Sequence, residues 1–389
     1  MTEAAIPDVE LSEQALLAEA SRATGGLSDF GDDSFREPLR VLLESLNGEA
    51  RLNKAGRFGR FQRMTQLLMQ RLLLEDLVKR HPDILEEQIR QPIFILGLQR
   101  TGSTKLQKIL ATDPKWHTPL LWEALSPVPL PGEPVGDPSM RIAIAQQFAD
   151  MIYTVAPEAW PGHPMIPCEV EEETFAVEMS FRWTVPATFA NVPTYIEWVE
   201  AHTVVPTYRY LKLILQVLQW QKGAERPWIL KSPWHIGFLA AILEVFPDAS
   251  IVQTHRDPLV AIASSCALMY AGLRLSTDAP DKKEHGANVL TMMSREMNRH
   301  LAQRDAIRDP TLDVQFERIR DDAVAVARQI YAARNWELDA AAAARIRRWE
   351  ADNPQHKHGR FVYSPEEFGL TRENVTNALR DYCRRFGFA

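Results

Sequence analysis

In the N-terminal part of the chain, apolar positions recur every three or four residues, which is the spacing of helices with one buried face. One predicted helix buries the leucines between 39 and 46, and the pair Ser34 and Glu37 predicts a capping box at its start. A second predicted helix follows the glycines of 56–59 and ends before Pro82, because proline cannot continue a helix. This part of the chain is therefore predicted to be helical.

Four later segments are strand candidates, and the first of them is short and almost entirely apolar, which is typical of a strand buried on both faces of a parallel sheet. They are Pro92 to Gly97, Trp228 to Leu230, Ser250 to Thr254 and Asp313 to Phe316. Because helical patterns lie between them, the alternation predicts an α/β fold, a doubly wound parallel sheet flanked by helices. We place this α/β domain at 91–389 and a helical extension at 1–90.

Between the first two predicted strands lie two segments of unusual composition. Residues 116–170 are rich in proline, so regular structure there is expected to be short, apart from a helix near 139–154. Residues 170–222 have a helical pattern with many aromatic side chains. Because long loops usually surround a site, we expect these two segments to shape a binding pocket.

Composition and charge narrow the class of protein. Of 389 residues, 46% are hydrophobic and 24% charged, which is typical of a globular protein. Lys plus Arg total 44 against 51 Asp plus Glu, a net charge of -7, so we expect no extended nucleic-acid surface. The three cysteines, Cys168, Cys266 and Cys383, are too few and too far apart for a disulfide framework. No apolar run approaches the roughly 18 residues of a membrane span, and we expect a cytoplasmic protein.

The loop after the first predicted strand has the composition of a phosphate-binding loop. Gly97 and Gly102 let the backbone approach an anion closely, and the N–H groups at the start of the next helix attract negative charge. Arg100 can bind an oxyanion through two hydrogen bonds. Further donors are Thr101, Ser103, Thr104 and Lys105. A plain strand-to-helix turn without a ligand also fits this composition.

The glycine spacing imitates the loop of P-loop nucleotide hydrolases, so the predicted fold is P-loop-like. However, Ser103 stands where that loop has its lysine, and Lys105 comes two residues later. A kinase would lack its main contact to the terminal phosphate. A P-loop small-molecule kinase is the alternative enzyme hypothesis, and the missing contact argues against it.

Two more polar segments follow predicted strands, at the edge of the sheet where ligands bind in open α/β folds. After the third strand, Arg256 is followed eight positions later by Ser264, so both can reach one phosphate; Arg256 can instead form a local salt bridge with Asp257. After the second strand come Lys231 and His235, a cation and an imidazole that can accept a proton near neutral pH. This segment also fits a simple helix start.

Together, these motifs resemble the sulfotransferases that use 3′-phosphoadenosine 5′-phosphosulfate, in particular the bacterial branch with an N-terminal helical extension. Residues 98–104 resemble the 5′-phosphosulfate loop of that family, and Arg256 with Ser264 resembles its 3′-phosphate motif. Residues 231–235 are similar to its segment with the catalytic lysine and histidine. Residues 353–370 are similar to its closing segment.

The resemblance implies a sulfuryl transfer to a hydroxyl or amine of a small apolar acceptor, with adenosine 3′,5′-bisphosphate as the second product and no metal. It implies catalytic roles for His235, Lys231 and Arg100. The donor-binding residues it implies are Arg100, Thr101, Gly102, Ser103, Thr104, Lys105, Arg256, Ser264 and Arg360.

Two alternatives to this assignment stay open. The base that accepts the proton can instead be an acid of the run Glu169, Glu171, Glu172 and Glu173, in the expected acceptor region. A non-catalytic nucleotide-binding protein on the same fold is the second alternative, although the presence of both Lys231 and His235 argues against it.

Overall fold

The computed structural model describes residues 6–307 and 311–388. Its sheet contains the parallel strands β1 (Ile93–Gly97), β2 (Ile229–Lys231), β3 (Ser250–His255) and β4 (Thr311–Gln315). The strand order is β2-β1-β3-β4, with Ile95 opposite both Lys231 and Val252. All four segments predicted as strands are therefore confirmed.

Helices account for most of the described residues. They are α1 (Glu13–Ala23), α2 (Arg36–Gly48), α3 (Lys54–Arg80), α4 (Ser103–Leu110), α5 (Leu121–Leu125), α6 (Ser139–Val155), α7 (Thr174–Val177), α8 (Pro193–Ala201), α9 (Val205–Lys222), α10 (Leu239–Val245), α11 (Pro258–Leu273), α12 (Lys282–Ala306), α13 (Phe316–Asp321), α14 (Ala323–Ala332), α15 (Ala340–Asp352), α16 (Arg372–Ala378) and α17 (Arg380–Phe386). The helix predicted near 139–154 is α6. The aromatic segment 170–222 is helical, but in the shorter pieces α7, α8 and α9.

Both faces of the sheet are covered by helices. Ile93 and Ile95 point into a cluster formed with α4 and α14, whereas Phe94 and Leu96 belong to the larger cluster on the other face. Successive side chains of a strand point to opposite faces, so an all-apolar strand needs apolar partners on both sides. The doubly wound α/β architecture predicted from the sequence is confirmed.

The capping box predicted at Ser34 and Glu37 is wrong. The carboxylate of Asp32 accepts a hydrogen bond from the Ser34 backbone N–H at 2.9 Å, which draws Ser34 into a 3₁₀ turn before α2. Because Ser34 lies inside this turn, its hydroxyl cannot cap the helix, and α2 begins after Phe35 without a side-chain cap.

The start of α3 also differs from the prediction. Asn53 caps the helix by accepting a hydrogen bond from the Gly56 N–H at 2.7 Å, so the glycines lie inside α3 and not before it. A Cβ atom at Gly56 would lie 2.3 Å from the carbonyl oxygen of Ser276. Gly56 therefore permits a close contact between α3 and the segment after α11.

The helices before residue 90 share one apolar core with the rest of the chain. Leu39 and Leu72 belong to the same buried cluster as Leu215 and Leu230. Arg71 strengthens this junction, because its buried guanidinium donates to carbonyl oxygens of both parts of the chain. A domain division at residue 90 stays a prediction. None of the helices in the described ranges has the length and apolar character needed to cross a membrane.

Candidate active site

The loops that follow β1 and β3 meet at the carboxyl edge of the sheet. Because these strands are neighbours and parallel, Gly97 lies opposite Thr254 at the strand ends. The side chain of Thr254 is in turn 2.6 Å from that of Thr101, Oγ1 to Oγ1, and Thr101 also donates to the Leu98 carbonyl at 2.7 Å. The phosphate-binding loop predicted after β1 and the segment with Arg256 and Ser264 predicted after β3 are thus brought together.

The loop after β1 has a concave backbone. Arg100 and Gly102 have positive φ values of 68° and 89°, and backbone of this kind turns successive N–H groups toward one point. At Gly97, which also has positive φ, a Cβ atom would lie 2.5 Å from the Thr254 carbonyl oxygen, so glycine is needed there. The loop leads directly into α4, whose first N–H groups have no acceptor within the helix.

Two arginines lie beside this loop. The Nε of Arg100 donates to the hydroxyl of Ser264 at 3.2 Å, and Arg256 donates to the Arg100 carbonyl at 3.0 Å. The Arg256 guanidinium lies over the Phe316 ring, 4.1 Å from its centre. Burial lowers the pKa of Arg100, and the nearby positive charge of Arg256 acts in the same direction. An anion bound between them would stabilise both charges.

Lys231 connects the phosphate loop to the acidic run. Its side chain is fully buried at the end of β2. Its Nζ donates to the hydroxyl of Thr104, in the first turn of α4, at 3.2 Å, and it also contacts the carboxylate of Glu172. A buried ammonium group between a helix N-terminus and a carboxylate can stabilise a negative charge that develops between them.

His235 has no exposed surface, and protein groups occupy both ring nitrogens. Its Nε2 is 2.6 Å from a carboxylate oxygen of Glu173, and its Nδ1 is 2.9 Å from the hydroxyl of Tyr208. The other oxygen of Glu173 accepts the backbone N–H of Lys231 at 2.9 Å. Tyr208 was missed by sequence reasoning, because one tyrosine in an aromatic-rich segment carries no local signal of this contact.

The acids of the run after Cys168 have different surroundings. Glu169 pairs with Lys108 at 2.8 Å, and half of its side chain is exposed. Glu171 is buried against His163 at 3.1 Å. Burial alone would raise the pKa of Glu171, but the charge and hydrogen bond of His163, with the charge of Lys231, lower it to about 2. Glu169 and Glu171 therefore each have a basic side chain as partner.

Glu172 faces a cavity of about 110 Å³. Gln99, next to Arg100 in the phosphate loop, also lines it. Most of the other lining side chains are apolar, including Ile152, Met165, Phe175, Phe189, Trp234 and Leu268. The proline-rich and aromatic-rich segments thus supply the walls of a pocket beside Lys231.

One group of metal-ligand side chains lies next to this cavity. Donor atoms of His163, Glu171 and Glu172 lie within 4.8 Å of one another. In the residues that the structure describes, His163 pairs with Glu171 and Lys231 contacts Glu172, so both carboxylates already have side-chain partners. This arrangement suits proton transfer and charge stabilisation better than metal binding.

The two remaining predicted donor residues, Lys105 and Arg360, have other surroundings. Lys105 forms an ion pair with Glu350 on α15 at 2.8 Å. Arg360 is exposed, in the segment between α15 and α16. The neighbouring Phe361 packs against Gly162, at the loop that borders the cavity, so this segment lies over the site.

A parallel α/β sheet with a concave loop, two arginines and a buried lysine at its carboxyl edge is an arrangement that suits a transferase for an anionic group. The chain belongs to the sulfotransferase family, whose family model matches residues 92–340. The resemblance drawn from the motifs is therefore confirmed, and the protein is an enzyme, a sulfotransferase.

Named relatives and solved structures agree with this assignment. Omega-hydroxy-beta-dihydromenaquinone-9 sulfotransferase Stf3 of Mycobacterium bovis is 24% identical over 312 residues, 75% of this chain and 74% of that protein. The crystal structure of sulfotransferase STF9 from Mycobacterium avium matches with a TM-score of 0.86 and 28% identity, covering 98% of both chains. Sulfotransferase STF1 from Mycobacterium tuberculosis matches with a TM-score of 0.79 and 27% identity, covering 95% of this chain and 98% of that one.

Proposed function

We propose that this sulfotransferase moves the sulfuryl group of 3′-phosphoadenosine 5′-phosphosulfate to a hydroxyl of a small apolar acceptor. The observation that carries the proposal is the position of Lys231, whose Nζ contacts Thr104 at the phosphate loop and Glu172 in the apolar cavity. The lysine thus joins a site for an anionic donor to a site for an apolar acceptor.

The donor would bind across the two anion motifs. The concave loop of 97–104 and the N-terminus of α4 suit the 5′-phosphosulfate. Arg256 and Ser264, which the structure brings beside Arg100, suit the 3′-phosphate, because guanidinium groups bind phosphate through paired hydrogen bonds. Arg360, on the exposed segment over the site, would close over the nucleotide. Lys105 would join the donor only by leaving Glu350.

We assign the base to Glu172 and a positioning role to His235. The support for Glu172 is that its carboxylate lines the cavity, where an acceptor hydroxyl would lie. His235 has no exposed surface, and both of its nitrogens already have protein partners. Through Glu173, the histidine holds the backbone of Lys231 in place.

The transfer is a single in-line step. The acceptor oxygen forms a bond to sulfur while the bond from sulfur to the 5′-phosphate oxygen breaks. The acceptor proton moves to the carboxylate of Glu172, and adenosine 3′,5′-bisphosphate leaves. Lys231, Arg100 and the loop N–H groups stabilise the charge on the sulfuryl oxygens and the leaving phosphate. His235 remains the alternative base.

The acceptor class follows from the cavity lining, which is apolar apart from a few polar groups near Glu172. The name of the relative Stf3 describes an acceptor of the same kind, a menaquinone that carries a hydroxyl group. An apolar alcohol is therefore the first acceptor class to test. An amine is the alternative acceptor, and a location in the cytoplasm stays a prediction.

The test is a transfer assay with radiolabelled donor and a panel of hydroxyl compounds, using the wild-type protein and the variant Lys231→Ala. We expect labelled sulfate esters with the wild type and a loss of turnover in the variant. Thermal stabilisation by adenosine 3′,5′-bisphosphate but not by ATP with magnesium would separate this activity from that of a kinase. Stabilisation by ATP with magnesium alone would overturn the proposal.

A further inference from the structure

A second and larger cavity lies beside the first. It has a volume of about 350 Å³ and is bounded by α8, α11 and α12. The cavity at Glu172, at about 110 Å³, is smaller than the roughly 300–1,000 Å³ that ligand sites usually occupy. It can therefore enclose the reacting end of an acceptor but not the whole of a larger one.

The two cavities share one wall. Met269 lines both of them. In the 185–190 segment, Thr188 and Phe189 line the smaller cavity, while the flanking Ala187 and Ala190 line the larger one. Only one layer of side chains and backbone thus separates them.

Part of this wall is rigid and part can move. A Cβ atom at Gly272 would lie 2.4 Å from the Thr188 carbonyl oxygen, so α11 and the 185–190 segment touch there through their backbones. At Met269 the wall is formed by a side chain and not by backbone. This side chain is buried, and its Sδ atom lies 3.8 Å from the amide nitrogen of Gln99. Methionine is unbranched and flexible, so this side chain can change rotamer where the backbone contact cannot.

The larger cavity has the chemistry of a site for a hydrocarbon chain. Its buried lining includes Val192, Ile196, Leu273, Val289 and Met292. Its rim carries two ion pairs, Arg51 with Glu284 at 2.6 Å and Arg295 with Glu197 at 3.1 Å, and also the carboxylates of Asp278 and Asp281. This excess of negative charge disfavours an anionic ligand, and the apolar interior suits a hydrocarbon chain.

We infer that the larger cavity binds the hydrocarbon chain of the acceptor whose hydroxyl lies at Glu172, and that Met269 is the movable part of the wall between them. This inference rests on the proposed function, because it names the acceptor as a long-chain alcohol. Rotation of Met269 joins the two cavities into one passage from the phosphate loop to the exposed rim. The enzyme then selects acceptors by chain length.

The experiment compares butanol with dodecanol as acceptors. Ile196→Trp fills the larger cavity, and we expect kcat/KM for dodecanol to fall about tenfold or more while that for butanol stays unchanged. Asn288→Trp, at the exposed rim, should have the same selective effect without disturbing the core. Met269→Ala opens the wall and should raise kcat/KM for dodecanol, whereas Met269→Leu should not. Leu85→Trp is the control, because Leu85 is exposed and lines neither cavity.

Calorimetric binding of dodecanol in the absence of donor gives a second readout. We expect binding to the wild-type protein and to Leu85→Trp, and its loss in Ile196→Trp and Asn288→Trp. If no alcohol is sulfated but this pattern of binding is found, the proposed function fails and the cavity assignment stands. Equal effects on butanol and dodecanol, or dodecanol binding that survives both tryptophan substitutions, would overturn the inference.

Discussion

The Nε of Arg100 lies 3.2 Å from the hydroxyl oxygen of Ser264 and donates a hydrogen bond to it. This contact joins the loop after β1 to α11, which follows β3, so the two anion motifs form one surface. Arg256 belongs to the same surface, because it donates a hydrogen bond to the carbonyl oxygen of Arg100. The arrangement predicts one continuous site for a donor with two separated phosphate groups.

Arg256→Ala should remove most of the preference for a 3′-phosphate. We expect adenosine 3′,5′-bisphosphate to bind roughly 10- to 100-fold more weakly, since hydrogen bonds to charged groups contribute about 1.5–3 kcal/mol. Adenosine 5′-monophosphate should bind nearly as it does to the wild type. Titration calorimetry measures both ligands, with Arg347→Ala on the exposed face of α15 as a control. Equal weakening of both nucleotides would contradict the assignment.

Glu172→Gln should lower kcat by about 10²- to 10⁴-fold, because the amide cannot accept the acceptor proton. Binding of adenosine 3′,5′-bisphosphate should stay within a factor of a few, since Glu172 lies on the acceptor side of Lys231. The matched control is Glu169→Gln, whose half-exposed side chain pairs with Lys108. Steady-state kinetics with a fixed acceptor makes the comparison. Full turnover in Glu172→Gln would return the role of base to His235.

His235→Ala should destabilise the protein by about 1–3 kcal/mol, because one buried carboxylate oxygen of Glu173 loses its hydrogen-bond partner. The double variant with Glu173→Gln should recover part of this loss, since the unpaired charge is then gone. Urea unfolding of the single and double variants measures the effect. An unchanged unfolding midpoint in His235→Ala would show that the Glu173 contact contributes little.

Glu296 on α12 should make stability depend on pH. Burial raises the pKa of this carboxyl to about 8, although nearby arginines oppose the shift. The unfolded chain loses the proton near the ordinary value of 4.5, so the folded state is penalised progressively as pH rises from about 4.5 to 8. Glu296→Gln cannot ionise and should raise Tm relative to the wild type at pH 8 but hardly at pH 4.5. A Tm difference that is constant across this window would contradict the prediction.

Gly97→Ala should weaken both folding and donor binding. The added Cβ would lie 2.5 Å from the Thr254 carbonyl oxygen in a backbone of positive φ, and overpacking of this kind costs about 1–3 kcal/mol. Gly59→Ala is the matched control, because Gly59 lies in α3 with no neighbouring atom within 4 Å, where alanine should stabilise the helix. Calorimetric unfolding and nucleotide titration of both variants test the contrast.

Local patterns were enough to predict the strands, the order of the motifs and the composition of the phosphate loop. Each of these depends on neighbouring residues: an apolar run of strand length, or glycines and donors between a strand and a helix. Local patterns failed at two helix starts. Ser34 lost its capping role to the turn at Asp32, and Gly56 lies inside α3 because Asn53 caps that helix.

The pairing of the active-site side chains was decided only by the tertiary structure. Nothing near Glu172 in the chain distinguishes it from the other acids of its run; it differs because Lys231, from a strand far along the chain, reaches its carboxylate. The contact of Tyr208 with His235 and the position of Met269 between two cavities arise in the same way. Residue types and spacing predict which chemistry is present, but long-range packing decides which groups are buried, paired or open to a ligand.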